Sequence, residues 1–107
     1  MNLPRLNTYV YIITYVNGSP YAITRDKVYM KNNKEKAFIT EEMLGGYFIP
    51  EFPMPLYVND YGRYWGKSLK ECEDILEKWR QEELEYFGNE IEPYKLKQVD
   101  ENSWNIE

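Results

Sequence analysis

From Leu69 to Phe87 apolar residues recur at three- and four-residue steps. Leu69, Cys72, Ile75, Leu76, Trp79, Tyr86 and Phe87 share one side of a helical projection, and Glu73, Asp74, Glu77, Lys78 and Arg80 fill the other. The spacing predicts one long amphipathic helix over residues 68–87. Its start is marked by Ser68 with Glu71 three residues on, a capping box in which each side chain accepts from the other's unpaired backbone N–H. Gly88, able to take the left-handed conformation of a helix terminator, marks its end. Trp79, mid-helix on the apolar stripe, is the expected centre of the core.

Elsewhere the period is two. In residues 8–16 (TYVYIITYV), Tyr9, Tyr11, Ile13 and Tyr15 alternate with Val10, Ile12, Thr14 and Val16, so both faces need cover and a central strand is expected. Asn17-Gly18 is the residue pair of a type I′ hairpin, with Tyr21–Thr24 returning as the second strand. Pro20 has no N–H to donate, which places it at a strand start or on an edge. A second hairpin is read from Val28–Lys31, a turn at Asn32-Asn33-Lys34, and Lys36–Ile39. Thr40 then caps a single helical turn over Glu41–Leu44. After the long helix, Tyr94–Val99 forms a strand, 100–102 a turn, and Trp104 with Ile106 a closing strand that ties down the C-terminus.

Between Gly45 and Lys67 the only regular piece expected is an extended one at Leu56–Val58, because prolines at 50, 53 and 55 forbid a helix and discourage strand pairing. Seven of the chain's 18 aromatic residues fall here: Tyr47, Phe48, Phe52, Tyr57, Tyr61, Tyr64 and Trp65. Most of these rings are expected to lie across the core as a lid, since a thin core needs covering and exposed Phe and Trp together would form an adhesive patch.

With 107 residues, 43% hydrophobic and 29% charged, the chain fits one α+β domain over residues 1–107: a small antiparallel sheet of short strands with the long helix on one face. One cysteine and no histidine exclude an internal disulfide and leave no inventory for a zinc site or a Ser-His or Cys-His dyad, so neither cofactor nor metal is expected. No apolar run is long enough to span a bilayer and no secretory leader is visible, so a cytoplasmic setting is expected, with no membrane partner. The net charge of −5 divides into about +4 over residues 1–40 and −9 over the rest.

Three patterns bear on chemistry. Gly62-Arg63-Tyr64-Trp65-Gly66-Lys67-Ser68 resembles a phosphate-binding P-loop but has one residue too few between its glycines and two bulky rings where a phosphate would be wrapped. What survives is an anion held by Lys67 and the free N–H groups of the first helical turn. Cys72 lies on the apolar stripe, where burial raises a thiol's pKa and silences it as a nucleophile. Glu82, Glu83 and Glu85 occupy the last helical turn, where the helix dipole prefers cations, and Glu90 and Glu92 follow. This is a carboxylate cluster that local stability does not ask for.

Two function classes follow. The first is a non-enzymatic protein-binding module, a small acidic regulator or inhibitor of the kind carried by phages and mobile elements, acting on a nucleic-acid-handling protein. Glu82, Glu83, Glu85, Glu90 and Glu92 would attract the partner, and Tyr61 and Tyr64 would anchor it. The alternative is a nucleic-acid-binding domain using Arg25, Lys27, Lys31, Lys34 and Lys36 with tyrosines as stacking platforms. Self-association is compatible with either.

Overall fold

The structure, a computed structural model, describes residues 2–41, 55–88 and 90–107. Among these residues seven antiparallel strands form one curled sheet: β1 (Tyr9–Val16), β2 (Ser19–Asn32), β3 (Ala37–Thr40), β4 (Leu56–Tyr57), β5 (Trp65–Gly66), β6 (Leu96–Asp100) and β7 (Ser103–Ile106). The order is β4-β3-β2-β1-β5, and β7 joins the other side of β2 and carries β6. Helix α1 (Leu69–Phe87) packs on one face, and a single 3₁₀ turn spans Val58–Asp60. The expected α+β class, with one long helix on an antiparallel sheet, is what the chain adopts.

β1 is central, as its two apolar faces require. Ile13 faces Ile23 and the helix residues Cys72, Ile75 and Leu76, while Val10 faces Val28, Phe38 and Trp65 on the other side. The sheet therefore separates two small cores. The Asn17-Gly18 hairpin forms as expected, both residues having positive φ, 52° and 81°. Pro20 lies one residue inside β2, opposite Tyr15 at a bulge, and needs no ladder N–H there.

The two strands expected at Tyr21–Thr24 and Val28–Lys31 are one 14-residue strand, β2. Arg25, Asp26 and Lys27 carry no turn chemistry, and β1 pairs across them from Tyr9↔Lys27 to Tyr11↔Arg25, so the strand runs through. Its hairpin turn falls at residues 33–36 rather than 32–34, with Asn32 Oδ1 accepting from the Glu35 N–H at 3.1 Å and Lys36 in positive φ. The helical turn expected over Glu41–Leu44 lies outside the described residues beyond Glu41. Of the extended piece expected at Leu56–Val58, Leu56 and Tyr57 form β4 and Val58 opens the 3₁₀ turn, whereas β5 is a strand that periodicity could not show, being two residues long.

Both helix boundaries follow the sequence. Ser68 Oγ accepts from the Glu71 N–H at 3.1 Å, and Gly88 ends the helix with φ 69°. The capping box is altered, because the Glu71 carboxylate accepts from the Lys67 N–H at 2.6 Å instead of from Ser68. Along the stripe, Cys72, Ile75 and Leu76 are buried and Leu69 is packed against them. Trp79 is only half-buried, against Tyr94 with ring centroids 5.7 Å apart, so it is not the core centre. That position belongs to Trp65, which is 0% exposed.

Trp65→Ala should cost about 3–5 kcal/mol and Trp79→Ala about 1–2 kcal/mol, read as the difference in denaturation midpoints. The opposite order would make Trp79, not Trp65, the ring on which the packing depends. Ser68→Ala should lower stability by about 0.5–2 kcal/mol in the same assay through loss of the cap.

Candidate functional site

The turn from Tyr61 to Ser68 is assembled around the Glu71 carboxylate. Oε1 accepts from the Tyr61 hydroxyl and Oε2 from the Lys67 N–H, each at 2.6 Å. Gly66 makes room for it, since a Cβ there would stand 3.1 Å from Glu71 Cβ and 3.2 Å from Oε2. A carboxylate at a helix N-terminus is also where the helix dipole favours negative charge. The anion expected at this P-loop-like turn is thus the chain's own Glu71 side chain, and the Lys67 N–H is taken by it. The Lys67 ammonium lies 5.6 Å from the Tyr61 ring.

Trp65 locks the turn into the second core. Its indole N–H donates to Tyr57 O at 2.8 Å, and its ring meets Phe38 and Tyr61 edge-on at 5.0 and 4.9 Å. Tyr64 is 39% exposed and sits edge-on to Tyr15 at 5.5 Å, while the Tyr15 hydroxyl donates to Arg63 O at 3.0 Å. Burial and the neighbouring Tyr64 push the Tyr15 hydroxyl up to about 12, and the hydrogen bond to Glu71 pushes Tyr61 up to about 12.

The structure brings part of the acidic cluster to this turn. Glu82 lines a cavity of about 150 Å³ with Tyr15, Tyr61, Arg63, Lys78 and Trp79. The Glu83 carboxylate adds to the burial that raises the Tyr94 hydroxyl. Glu85, Glu90 and Glu92 are exposed and form no hydrogen bond or ion pair among the described residues. Arg80 is held by Glu77 and donates to Ile91 O at 2.7 Å, which ties the chain after the helix back against it. Of the two anchors expected in the turn, Tyr64 presents its ring to solvent, whereas Tyr61 is committed to Glu71 and Trp65. Tyr47, Phe48 and Phe52 lie outside the described residues.

Tyr86 and Phe87, read from the sequence as core, are 82% and 58% exposed and stack edge-on at 4.8 Å within the acidic cluster. The signal was available one turn earlier: the next places on the stripe after Trp79 hold Glu82 and Glu83, so the buried face ends there.

Cys72 is buried, its thiol 3.7 Å from Tyr11 O and pushed by burial up to about 12, which leaves it un-ionised at neutral pH. Among the described residues no group of three Asp, Glu or Cys is placed to hold a metal ion. No described helix is long and apolar enough to cross a membrane.

Because the folded Tyr61 pKa lies above the ordinary tyrosine value, its contribution to stability is complete below pH 10 and is lost as the pH rises toward about 12. Tyr61→Phe should lower the denaturation midpoint at pH 7 and flatten the fall of stability between pH 10 and 12. An unchanged alkaline profile would mean that the Tyr61–Glu71 hydrogen bond does not hold the turn.

Compared with protein-family models, with curated proteins and with solved structures, the chain matches none.

Proposed function

We propose that the chain is a non-enzymatic protein-binding module that engages its partner through the C-terminal end of α1. The observation that carries this reading is the exposed Tyr86–Phe87 pair set among Glu82, Glu83, Glu85, Glu90 and Glu92. Aromatic rings with few rotatable bonds surrounded by charge have the anatomy of an interface hot spot, in which the rings supply binding energy and the rim supplies orientation and association rate. The partner that complements them is a protein with an apolar pocket inside a basic rim. Nucleic-acid-handling proteins present basic clefts of this sign, which supports a regulator or inhibitor that occupies such a cleft. Glu82, which shares a cavity with Tyr61 and Arg63, carries the acidic surface toward the 61–64 turn, where Tyr64 is exposed.

The nucleic-acid alternative draws on Arg25, Lys27, Lys31, Lys34 and Lys36. Arg25 and Lys27 gather at the Tyr9 ring, whereas Lys34 and Lys36 belong to the β2–β3 turn at the far end of β2. A net charge of −5 also opposes a long polyanion.

The test is capture of a partner on immobilised wild-type chain and on a Tyr86→Ser/Phe87→Ser variant, followed by kinetics with the purified partner. Glu82→Lys, Glu83→Lys and Glu85→Lys together should slow association and flatten its salt dependence, and Tyr86→Ala or Phe87→Ala should speed dissociation by about thirtyfold. Wild-type rates for all of these, with binding abolished by Lys27, Lys31 and Lys34 substitutions, would move the interface to the basic hairpins and overturn the reading.

A further inference from the structure

Near the start of α1, residues 2–8 lie beside Lys67 and leave a cleft of about 530 Å³. Its lining is apolar at Leu3, Pro4 and Val10, of which Pro4 and Val10 are buried, and the exposed residues Arg5 and Lys67 complete its walls. The arm is held by backbone pairing with β2: the Asn7 N–H donates to Val28 O at 2.9 Å and the Val28 N–H to Thr8 O at 2.8 Å. Asn7 takes φ 64° to make this turn, and Thr8 Oγ1 donates to Arg5 O at 2.6 Å. The hollow is thus preformed. No carboxylate is among the residues that line it. Asp26, opposite Val10 in the β1–β2 ladder and on the same face, is buried and lines a separate hollow with Thr24 and Ser103. Glu71, close to Lys67, has one oxygen on the Lys67 N–H and the other on the Tyr61 hydroxyl.

An apolar floor between two cations is the complement of the far end of α1, where Tyr86 and Phe87 are 82% and 58% exposed among Glu82, Glu83, Glu85, Glu90 and Glu92. One chain cannot bring the two together, because the 19 residues of α1 hold them roughly 28 Å apart. Two chains can. We propose that the Tyr86–Phe87 end of one copy docks into the residue 2–8 cleft of a second copy, head to tail, with the rings on Leu3, Pro4 and Val10 and the glutamates facing Arg5 and Lys67. The inference rests on the reading of Tyr86–Phe87 as an interface and names a second copy of the chain as a partner for it.

The net charge of −5 does not prevent this contact. At physiological ionic strength the screening length is about 8 Å, shorter than the helix, so each end acts by its own charge. A hollow of this volume accepts both rings, which bury about 150–250 Å² each. That is a small part of a stable interface of about 1,200–2,000 Å², so the association is weak, with a Kd of about 10–100 μM.

Sedimentation equilibrium of the full chain from about 10 μM to 1 mM, in about 0.15 M salt, tests it. The average mass should rise with concentration above the 13.0 kDa of one chain. Tyr86→Ser/Phe87→Ser and Arg5→Glu/Lys67→Glu should each weaken self-association about thirtyfold, while Lys34→Glu, in the distant hairpin turn, leaves it unchanged. Thermal melts of the same variants confirm that they fold. The deciding sample is an equimolar mixture of the two double variants: each is monomeric alone, but one keeps its cleft and the other its rings, so together they form a one-to-one complex. A wild-type chain that stays monomeric throughout, a mixture that stays monomeric, or self-association that Arg5→Glu/Lys67→Glu leaves at wild-type strength overturns the proposal. If the wild type is monomeric and Tyr86→Ser/Phe87→Ser still loses capture of another protein, only this inference falls. If that capture is unaffected as well, the interface falls with it.

Discussion

Burial of Trp65 is the constraint on which the other contacts depend. Its backbone pairs with β1 at Ile12, its ring fills the second core against Phe38, and its indole N–H is satisfied by Tyr57 O. A buried indole without an acceptor is costly, so this one bond fixes β4 relative to β5 and draws the 3₁₀ turn at Val58–Asp60 over the core. With Trp65 in place, Tyr61 packs on it and reaches Glu71, and Gly66 lies against the same residue. The helix start is thereby positioned from the second core, although the helix itself covers the first.

Electrostatics at the two ends of the helix differ. At the N-terminal end Glu71 sits where the α1 dipole favours negative charge and Lys70 is paired with Asp74, whereas Glu82, Glu83 and Glu85 occupy the negative end with no base in the last turn. Each of these three carboxylates opposes local stability by a few tenths of a kcal/mol where solvent screens it. The result is a molecule with a basic end at the residue 2–8 arm and an acidic end that also exposes two aromatic rings. Such a field orients an approaching charged partner before contact is made.

Local chemistry was readable without the structure. Ser68 and Gly88 bound the helix, Asn17-Gly18 turns the first hairpin, and the alternation of residues 9–16 requires a strand covered on both faces. Each of these signals is satisfied within a few residues of itself, by a cap, a backbone conformation or a side-chain period. Burial of Cys72 and its suppressed acidity followed from its place on the stripe in the same way. Of the candidate site, the acidic cluster and the exposed ring of Tyr64 were legible as composition out of place.

The tertiary structure alone decided how far the cover extends. A helical period tells which side of α1 faces the sheet but not where the sheet ends, so Trp79 is half-buried and Tyr86 and Phe87 pass into solvent while Trp65, from an aperiodic stretch, takes the centre. Continuity of β2 through Arg25–Lys27 depended on a partner strand, because backbone pairing with β1 outweighs weak local strand propensity there. Tyr9 carries Arg25 and Lys27 over its ring, and Lys67 comes beside it from the start of α1; no local period relates positions so far apart in the chain. Sequence determines what can be settled by neighbours along the chain; contacts between distant segments belong to the folded state, in which the entropy of bringing them together is offset by burying both cores at once.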